Sequence, residues 1–180
     1  MPLEKNQIDA HFNLGGPLFI LSGIPLFMPF SYLGLGYGIN NKLSFSADLP
    51  LTLYVFKNAA LDISGTYFFT KKIALKAELL GVWDIAQSKA KLWPMLSGWS
   101  IFHISQNWLI MPGVNLIFQK TTPVIIASPT ITFVKTFKQW NINFALDYLM
   151  PYAKKTDYNL DYISPGLGGF ALNFGFGKRL

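Results

Sequence analysis

The chain contains no cysteine, which excludes disulfide bonds, thiol nucleophiles and cysteine-ligated metals. Charged residues are also scarce, at 13% of the sequence, where a soluble domain carries about 25%. The N-terminal stretch MPLEKNQIDAHF lacks the apolar segment of a signal peptide. The net charge is +6, but the lysines are scattered and never adjacent in groups larger than two. This spacing predicts no nucleic-acid partner.

Two long stretches, 10–41 and 92–119, contain no Asp, Glu, Lys or Arg. Their length and hydropathy are those of transmembrane helices. The first stretch nevertheless contains several prolines, which interrupt helices, and it alternates large apolar residues with glycine from Leu33 to Gly38. A period of two predicts β-strands instead.

The segment LSFSADLPLTLYV, residues 43–55, is apolar at every odd position and mostly polar at the even ones. Segments 61–69, 73–85 and 140–148 repeat this alternation, and none of them places a charge on its apolar face. A Lys or Arg facing the middle of a bilayer costs about 2–4 kcal/mol in a β-barrel. The pattern therefore predicts strands whose apolar face contacts lipid.

The whole chain divides into ten such strands, separated by short and long connections in alternation. The predicted strands are 8–20, 30–40, 43–55, 61–70, 73–85, 92–104, 108–118, 128–137, 140–149 and 164–176. An even number of strands with alternating connection lengths is typical of outer-membrane barrels, whose short turns face the periplasm. We expect an all-β, closed antiparallel barrel over residues 8–180, preceded by a periplasmic tail over residues 1–7.

The pairing of neighbouring strands can be tested within the sequence. Folding the chain at residues 138–139 pairs Thr136 with Asn141 and Thr130 with Asp147, so that polar residues meet on one face. Folding at Asn41 similarly pairs Ser46 with Gly36 and Asp48 with Gly34. Both registers predict a shared polar face that lines a lumen.

With these features the chain resembles the small outer-membrane β-barrels of Gram-negative bacteria, the broad class that includes the OmpA- and OmpX-type proteins. In the final segment, Phe170, Leu172, Phe174 and Phe176 alternate as in the C-terminal insertion signal of that class, although the chain continues to Leu180. The resemblance implies an integral outer-membrane protein in contact with lipid and lipopolysaccharide. The alternative is a soluble lipocalin-like ligand carrier, whose Gly-x-Trp pattern occurs at Gly81-Val82-Trp83.

Six of the nine acidic residues have inward parity, and Lys76 is the one cation placed with them. These acids are Asp9, Asp48, Asp62, Glu78, Asp84 and Asp147. They predict either a cation-preferring lumen or an internal polar network that neutralises itself. Bulky Tyr32, Tyr54 and Phe68 share the inward parity, which favours a plugged lumen. His11 is expected to make a hydrogen bond in the lumen.

Aromatic residues near strand ends are predicted to lie at the membrane interface, as girdles do in barrels. They are Trp83, Trp93, Trp108, Trp140, Tyr148 and Tyr152.

A second motif, IFHISQNW, brings His103 and Ser105 within two residues of each other, where an imidazole can activate a hydroxyl. It loosely resembles the His-x-Ser-Asn motif of the outer-membrane lipid A 3-O-deacylases, which implies an ester hydrolase. Gln106 interrupts the motif, and the predicted register puts the pair at the periplasmic end.

The sequence thus favours a non-enzymatic structural or accessory component that docks an envelope protein or lipid. The unusually apolar loops 21–29 and 119–127 support docking. The alternatives are a narrow cation-preferring channel, a lipid A hydrolase and the soluble carrier. No metal-ligand spacing or cofactor motif is found, and no cofactor is expected.

Overall fold

A computed structural model describes residues 3–21, 24–27, 30–55, 57–85, 88–118, 125–149 and 169–180. Within these ranges the chain forms twelve β-strands and one short helix. The elements are β1 (Ile8–Leu21), β2 (Ile24–Phe27), β3 (Phe30–Asn40), β4 (Leu43–Pro50), α1 (Leu51–Val55), β5 (Asn58–Thr70), β6 (Ile73–Asp84), β7 (Lys89–Ser100), β8 (Phe102–His103), β9 (Trp108–Phe118), β10 (Ile125–Phe137), β11 (Trp140–Leu149) and β12 (Gly169–Arg179). No helix in the described ranges has the length and apolar character to span a membrane.

Ten of these strands close into an antiparallel barrel, as the sequence predicts. The ring runs β1-β3-β4-β5-β6-β7-β9-β10-β11-β12, and β12 pairs with β1 to close it. The two remaining strands are additions: β2 pairs with the end of β1, and β8 pairs with the start of β9. The chain ends and the tight turns share one end of the barrel, which we call the short-turn end.

The predicted strand registers are confirmed. Thr136 pairs with Asn141 and Thr130 with Asp147 between β10 and β11. Between β3 and β4, Gly34 pairs with Asp48. Because side chains alternate along a strand, a correct register also places the polar residues of neighbouring strands on the same face.

The segment 43–55 is only partly a strand, which corrects the prediction. Pairing between β4 and β5 stops at Asp48, and β4 ends at Pro50, since proline has no N–H to donate to a ladder. The chain then turns into α1, which is tied to β3 by a hydrogen bond from the Ser31 N–H to Thr52 Oγ1 (2.8 Å). The helix breaks the alternation, so that Leu53 is buried inside the barrel and Tyr54 is exposed instead of facing inward.

Other strand boundaries also differ from the prediction. The sixth predicted strand, 92–104, is interrupted between β7 and β8 by the buried Ile101, whose N–H donates to the Lys72 carbonyl. The last strand ends later than predicted, at Arg179, and the first residues of its predicted range, 164–168, lie outside the described residues. The strand β2 lies within the predicted loop 21–29. Tyr152 and residues 119–124 of the second apolar loop lie outside the described residues.

Large apolar side chains are exposed all around the outer wall of the barrel. They include Leu33, Leu35, Phe45, Ile63, Leu79, Leu92, Ile142 and Phe174. The buried polar residues, by contrast, face the lumen: Asp48, Asn58, Asp62, Ser64, Ser97, Ser128 and Thr130. A soluble carrier needs the opposite arrangement, so the lipocalin-like alternative is wrong.

Inward glycines on β3 make room for its neighbours. Gly34 lies between His11 of β1 and Asp48 of β4 in the register, and those two side chains meet above it, with His11 Nε2 2.6 Å from Asp48 Oδ1. A Cβ atom at Gly34 would overlap both. At Gly38, the N–H donates to the Gln7 carbonyl, so residues 3–7 pack on the barrel mouth where a tail was predicted.

Replacing Gly34 with alanine is expected to separate His11 from Asp48. The free energy of unfolding should fall by about 1–3 kcal/mol, the cost of a half-buried polar pair that loses its partner. Urea unfolding in lipid vesicles, monitored by tryptophan fluorescence, measures this change. Gly36→Ala is the matched control, because the tightest contact of a Cβ there is the end of the Leu3 side chain, at 3.3 Å, and its other neighbours, Asp9 Cβ and the Phe45 carbonyl, are at van der Waals distance. Equal losses in the two variants would contradict this role of Gly34.

Candidate functional site

The largest charged cluster of the lumen is centred on His11. Its ring lies between two carboxylates: Nδ1 is 3.0 Å from Asp9 Oδ2, and Nε2 is 2.6 Å from Asp48 Oδ1. Both oxygens can accept a hydrogen bond only when both ring nitrogens carry hydrogen, so this geometry fits the imidazolium form. The predicted lumen hydrogen bond of His11 is thus present, and it bridges β1 and β4.

The cluster continues along the wall to β5 and β6. Asp48 is the register partner of Asp62, and Lys76 forms a salt bridge with Glu78 two residues away on the same face. Asp62 is 6% exposed, and its Oδ1 atom has no hydrogen-bond partner among the described residues. Four carboxylates thus lie beside His11 and Lys76, and Arg179 of β12 is the register partner of Asp9, so acids outnumber cations by one on this wall of the lumen. Within the described ranges no three His, Asp or Glu side chains are arranged to hold a metal ion.

Asp147 forms a separate polar centre on the opposite wall. Its Oδ2 atom accepts a hydrogen bond from Asn173 Nδ2 (2.6 Å), and its Oδ1 atom accepts a longer one from Asn115 Nδ2 (3.4 Å). These contacts link β11 to β12 and reach towards β9. Asp84, the remaining predicted inward acid, lies at the last position of β6, away from both centres.

An apolar cluster lies towards the long-loop end of the lumen, and the sequence did not predict it. We call it the apolar bridge. Its buried members are Phe30, Leu53, Ala60, Val82 and Trp93, and Tyr32, Leu80 and Ile117 pack against it. Tyr32 belongs to β3 and Ile117 to β9, and four strands separate β3 from β9 in either direction around the ring. The members follow the ring from β3 through α1, β5, β6 and β7 to β9, so the apolar bridge lines half of the circumference, with Leu53 of α1 buried among them.

The short-turn end of the lumen is more open. A cavity of about 800 Å³ opens there and is lined by residues including Leu3, Lys71 and Arg179. A second cavity of about 370 Å³ shares Leu3 and Arg179 and is lined by both polar and apolar wall residues, among them Asp9, Asn143 and Met111. The two form a vestibule that is accessible from the short-turn end, while the apolar bridge lies at the other end.

The predicted interface aromatics separate into two groups. Trp83, Trp108 and Trp140 point outward and are 45%, 41% and 40% exposed, so their girdle role stays a prediction. Tyr148 shares the outward parity of Trp140 on β11. The predicted interface position of Trp93 is wrong, because its side chain is 4% exposed and belongs to the apolar bridge. Its register partner on β6 is Leu80, an inward position, and this pairing is the signal in the sequence that would have placed it correctly.

The predicted catalytic pair is not assembled. His103 pairs with Leu109, an inward position, and lines the vestibule. Ser105 lies in the following bend, where its Oγ accepts a 3.4 Å hydrogen bond from the Asn107 N–H. Among the contacts of the described residues, none joins His103 to Ser105.

Comparison with known proteins finds neither a matching family model nor a matching curated protein. Similar solved structures exist. The NanC porin is 8% identical with a TM-score of 0.50, over 95% of this chain and 100% of that one. An outer-membrane channel from Pseudomonas putida F1 is 8% identical with a TM-score of 0.49, over 100% and 97%. The N-terminal β-barrel domain of OprF from Pseudomonas aeruginosa is 10% identical with a TM-score of 0.40, over 99% and 100%.

At such low identity this likeness is one of fold alone, and the fold is that of outer-membrane barrels. The closed antiparallel ring, the apolar outer wall and the polar lumen are what a chain inserted into that membrane requires. The chain is an integral β-barrel protein of the bacterial outer membrane.

Proposed function

We propose that the protein is a non-enzymatic, non-conducting component of the outer membrane, which docks a partner protein or lipid. The observation that carries this proposal is the apolar bridge. Leu53 and Trp93 are 2% and 4% exposed in it, and its members extend from β3 round to β9, half of the ring. A permeating ion would have to pass through this desolvated layer, which is unfavourable for any charge.

The charges of the lumen support the same role. Of the inward acids, Asp48 and Glu78 contact His11 and Lys76, and Asp147 accepts hydrogen bonds from asparagines. Polar and charged side chains that contact one another in this way link neighbouring strands, as a structural network does. Against hydrolysis stands the separation of His103 from Ser105.

A cation-preferring channel is the second candidate, and one observation favours it. The four carboxylates of the His11 cluster outnumber the cations beside them, His11, Lys76 and Arg179, so the lumen wall is negative, as cation pathways are. The NanC structure, with the same fold, is that of a porin. Conduction through this chain would require the apolar bridge to move, and α1, which carries Leu53, is only five residues long.

Conductance in planar bilayers separates the two candidates. We expect no conductance steps from the wild-type protein. We expect Leu53→Ala/Trp93→Ala to show reproducible cation-selective steps, because the variant lacks the apolar bridge next to a negative wall. The matched control is Leu92→Ala/Trp83→Ala, which deletes the same side-chain types from the exposed outer wall and should be silent. Cation-selective steps from the wild type would establish the channel instead. Silence of the bridge variant would show that another element closes the lumen.

The docking role predicts a bound partner in the native membrane. After mild solubilisation, the protein should be recovered in a defined ratio with another envelope protein, and cross-linking in intact cells should give the same pair. The recovered complex should persist in Leu53→Ala/Trp93→Ala if its fold is kept, since the bridge lies inside the barrel. A chain that always purifies alone and forms no cross-link would contradict docking.

A further inference from the structure

The outer wall of the barrel has an uneven charge distribution. Among the described strand residues, no acid has outward parity, and the outward cations are Lys135 of β10 and Lys178 of β12. A single strand, β11, separates the strands that carry them. Both lie at the short-turn end, where a lysine on a lipid-facing wall is tolerated because it reaches the interface.

Aromatic rings surround these two lysines. Lys135 Nζ lies 4.9 Å from the ring centroid of Trp108 and 4.8 Å from that of Phe137, and Lys178 Nζ lies 5.0 Å from that of Trp140. Trp140 also stacks on Phe176 with a centroid distance of 4.7 Å. We call this group the basic aromatic patch: Trp108, Lys135, Phe137, Trp140, Phe176 and Lys178.

The register makes the patch one continuous surface across four neighbouring strands. Trp108 of β9 pairs with Lys135, Phe137 of β10 pairs with Trp140, and Trp140 of β11 pairs with Lys178. The exposed Lys138 lies in the turn at its edge. Rings of this kind lie at headgroup depth in membranes, and they hold the lysine stems while the ammonium groups reach towards the interface.

Among the described residues, no carboxylate forms a salt bridge with these ammonium groups. The salt bridges among the described residues are His11 with Asp9 and Asp48, and Lys76 with Glu78, all inside the barrel. At headgroup depth the complementary anion is the phosphate of a lipid, and an anionic phospholipid has no cationic group of its own to compete for it.

We propose that the basic aromatic patch binds the headgroup of an anionic phospholipid in the leaflet at the short-turn end. The phosphate lies between Lys135 and Lys178, and the rings of Trp108 and Trp140 support the upper acyl region. This inference requires a barrel in a membrane but does not depend on whether the lumen is closed. It deepens the proposed function by naming the lipid class and the surface that docks it, and it rests on that function only for the docking of lipid.

Lipid selectivity measured by electron paramagnetic resonance tests the patch. The refolded protein is placed in phosphatidylcholine vesicles with trace spin-labelled phosphatidylglycerol or spin-labelled phosphatidylcholine, and the motionally restricted fraction of each is compared. The wild type should prefer phosphatidylglycerol about fivefold, the effect of about one lysine near a charged lipid. The preference should disappear in Lys135→Gln/Lys178→Gln and remain in Lys135→Arg/Lys178→Arg, which keeps both charges.

The matched control is Lys71→Gln/Lys72→Gln. It removes two charges from a turn at the same end of the barrel, where both residues are exposed and no ring contact to either lysine is found among the described residues. This control should keep the wild-type preference. Equal loss in both glutamine variants would overturn the patch and leave only a general effect of net charge, and a wild type without preference would overturn it outright.

A competition arm distinguishes the lipid from free phosphate. Inorganic phosphate replaces chloride at constant ionic strength in the same vesicles. Because the rings hold the site at headgroup depth, the selectivity for phosphatidylglycerol should be unchanged. Loss of that selectivity in phosphate would mean that the patch is a site for the free anion, which would overturn a lipid site.

Discussion

The hydrocarbon core of the membrane offers no hydrogen-bond partners, and this constraint decides where the side chains of the barrel lie. Every backbone group must be paired between strands, so the sheet closes where β12 meets β1. The outer wall must be apolar, and exposed residues such as Leu35 and Phe174 cover it. Polar side chains are consequently forced into a narrow interior, where they must satisfy one another.

Two parts of the interior show how the side chains are accommodated. Near the middle, glycine at position 34 lets His11 and Asp48 meet across an intervening strand, and Lys76 holds Glu78. Towards the long-loop end, a helix of five residues inserts Leu53 among apolar side chains of β3, β5, β6 and β7. The negative wall and the apolar bridge have opposite consequences for permeation. The apolar bridge determines the barrier to permeation, because attraction to nearby carboxylates does not offset the cost of moving a charge through a desolvated layer.

The sequence predicts the part of this structure that depends on a period of two. Strand number, register and the inward position of the acids follow from alternation, because a one-residue error would turn Asp48 and Asp62 into the lipid. The bridge depends on an interruption of that period. Leu53 follows Pro50 in an apparently perfect alternation, and only the three-dimensional end of the ladder shows that the chain turns inward there. Alternation does not assign Trp93 to the inward face, because its strand lacks a clear polar face.

The fluorescence of Trp93 tests the closed-barrel account most directly. A variant that retains Trp93 as its sole tryptophan would be refolded in vesicles and exposed separately to brominated lipid and to aqueous acrylamide. The account predicts weak quenching by both, since the indole lies inside the apolar bridge, and strong quenching by brominated lipid when Trp140 is the sole tryptophan. Strong acrylamide quenching of Trp93 would show an open lumen, and strong quenching by brominated lipid would show that its strand is turned outward.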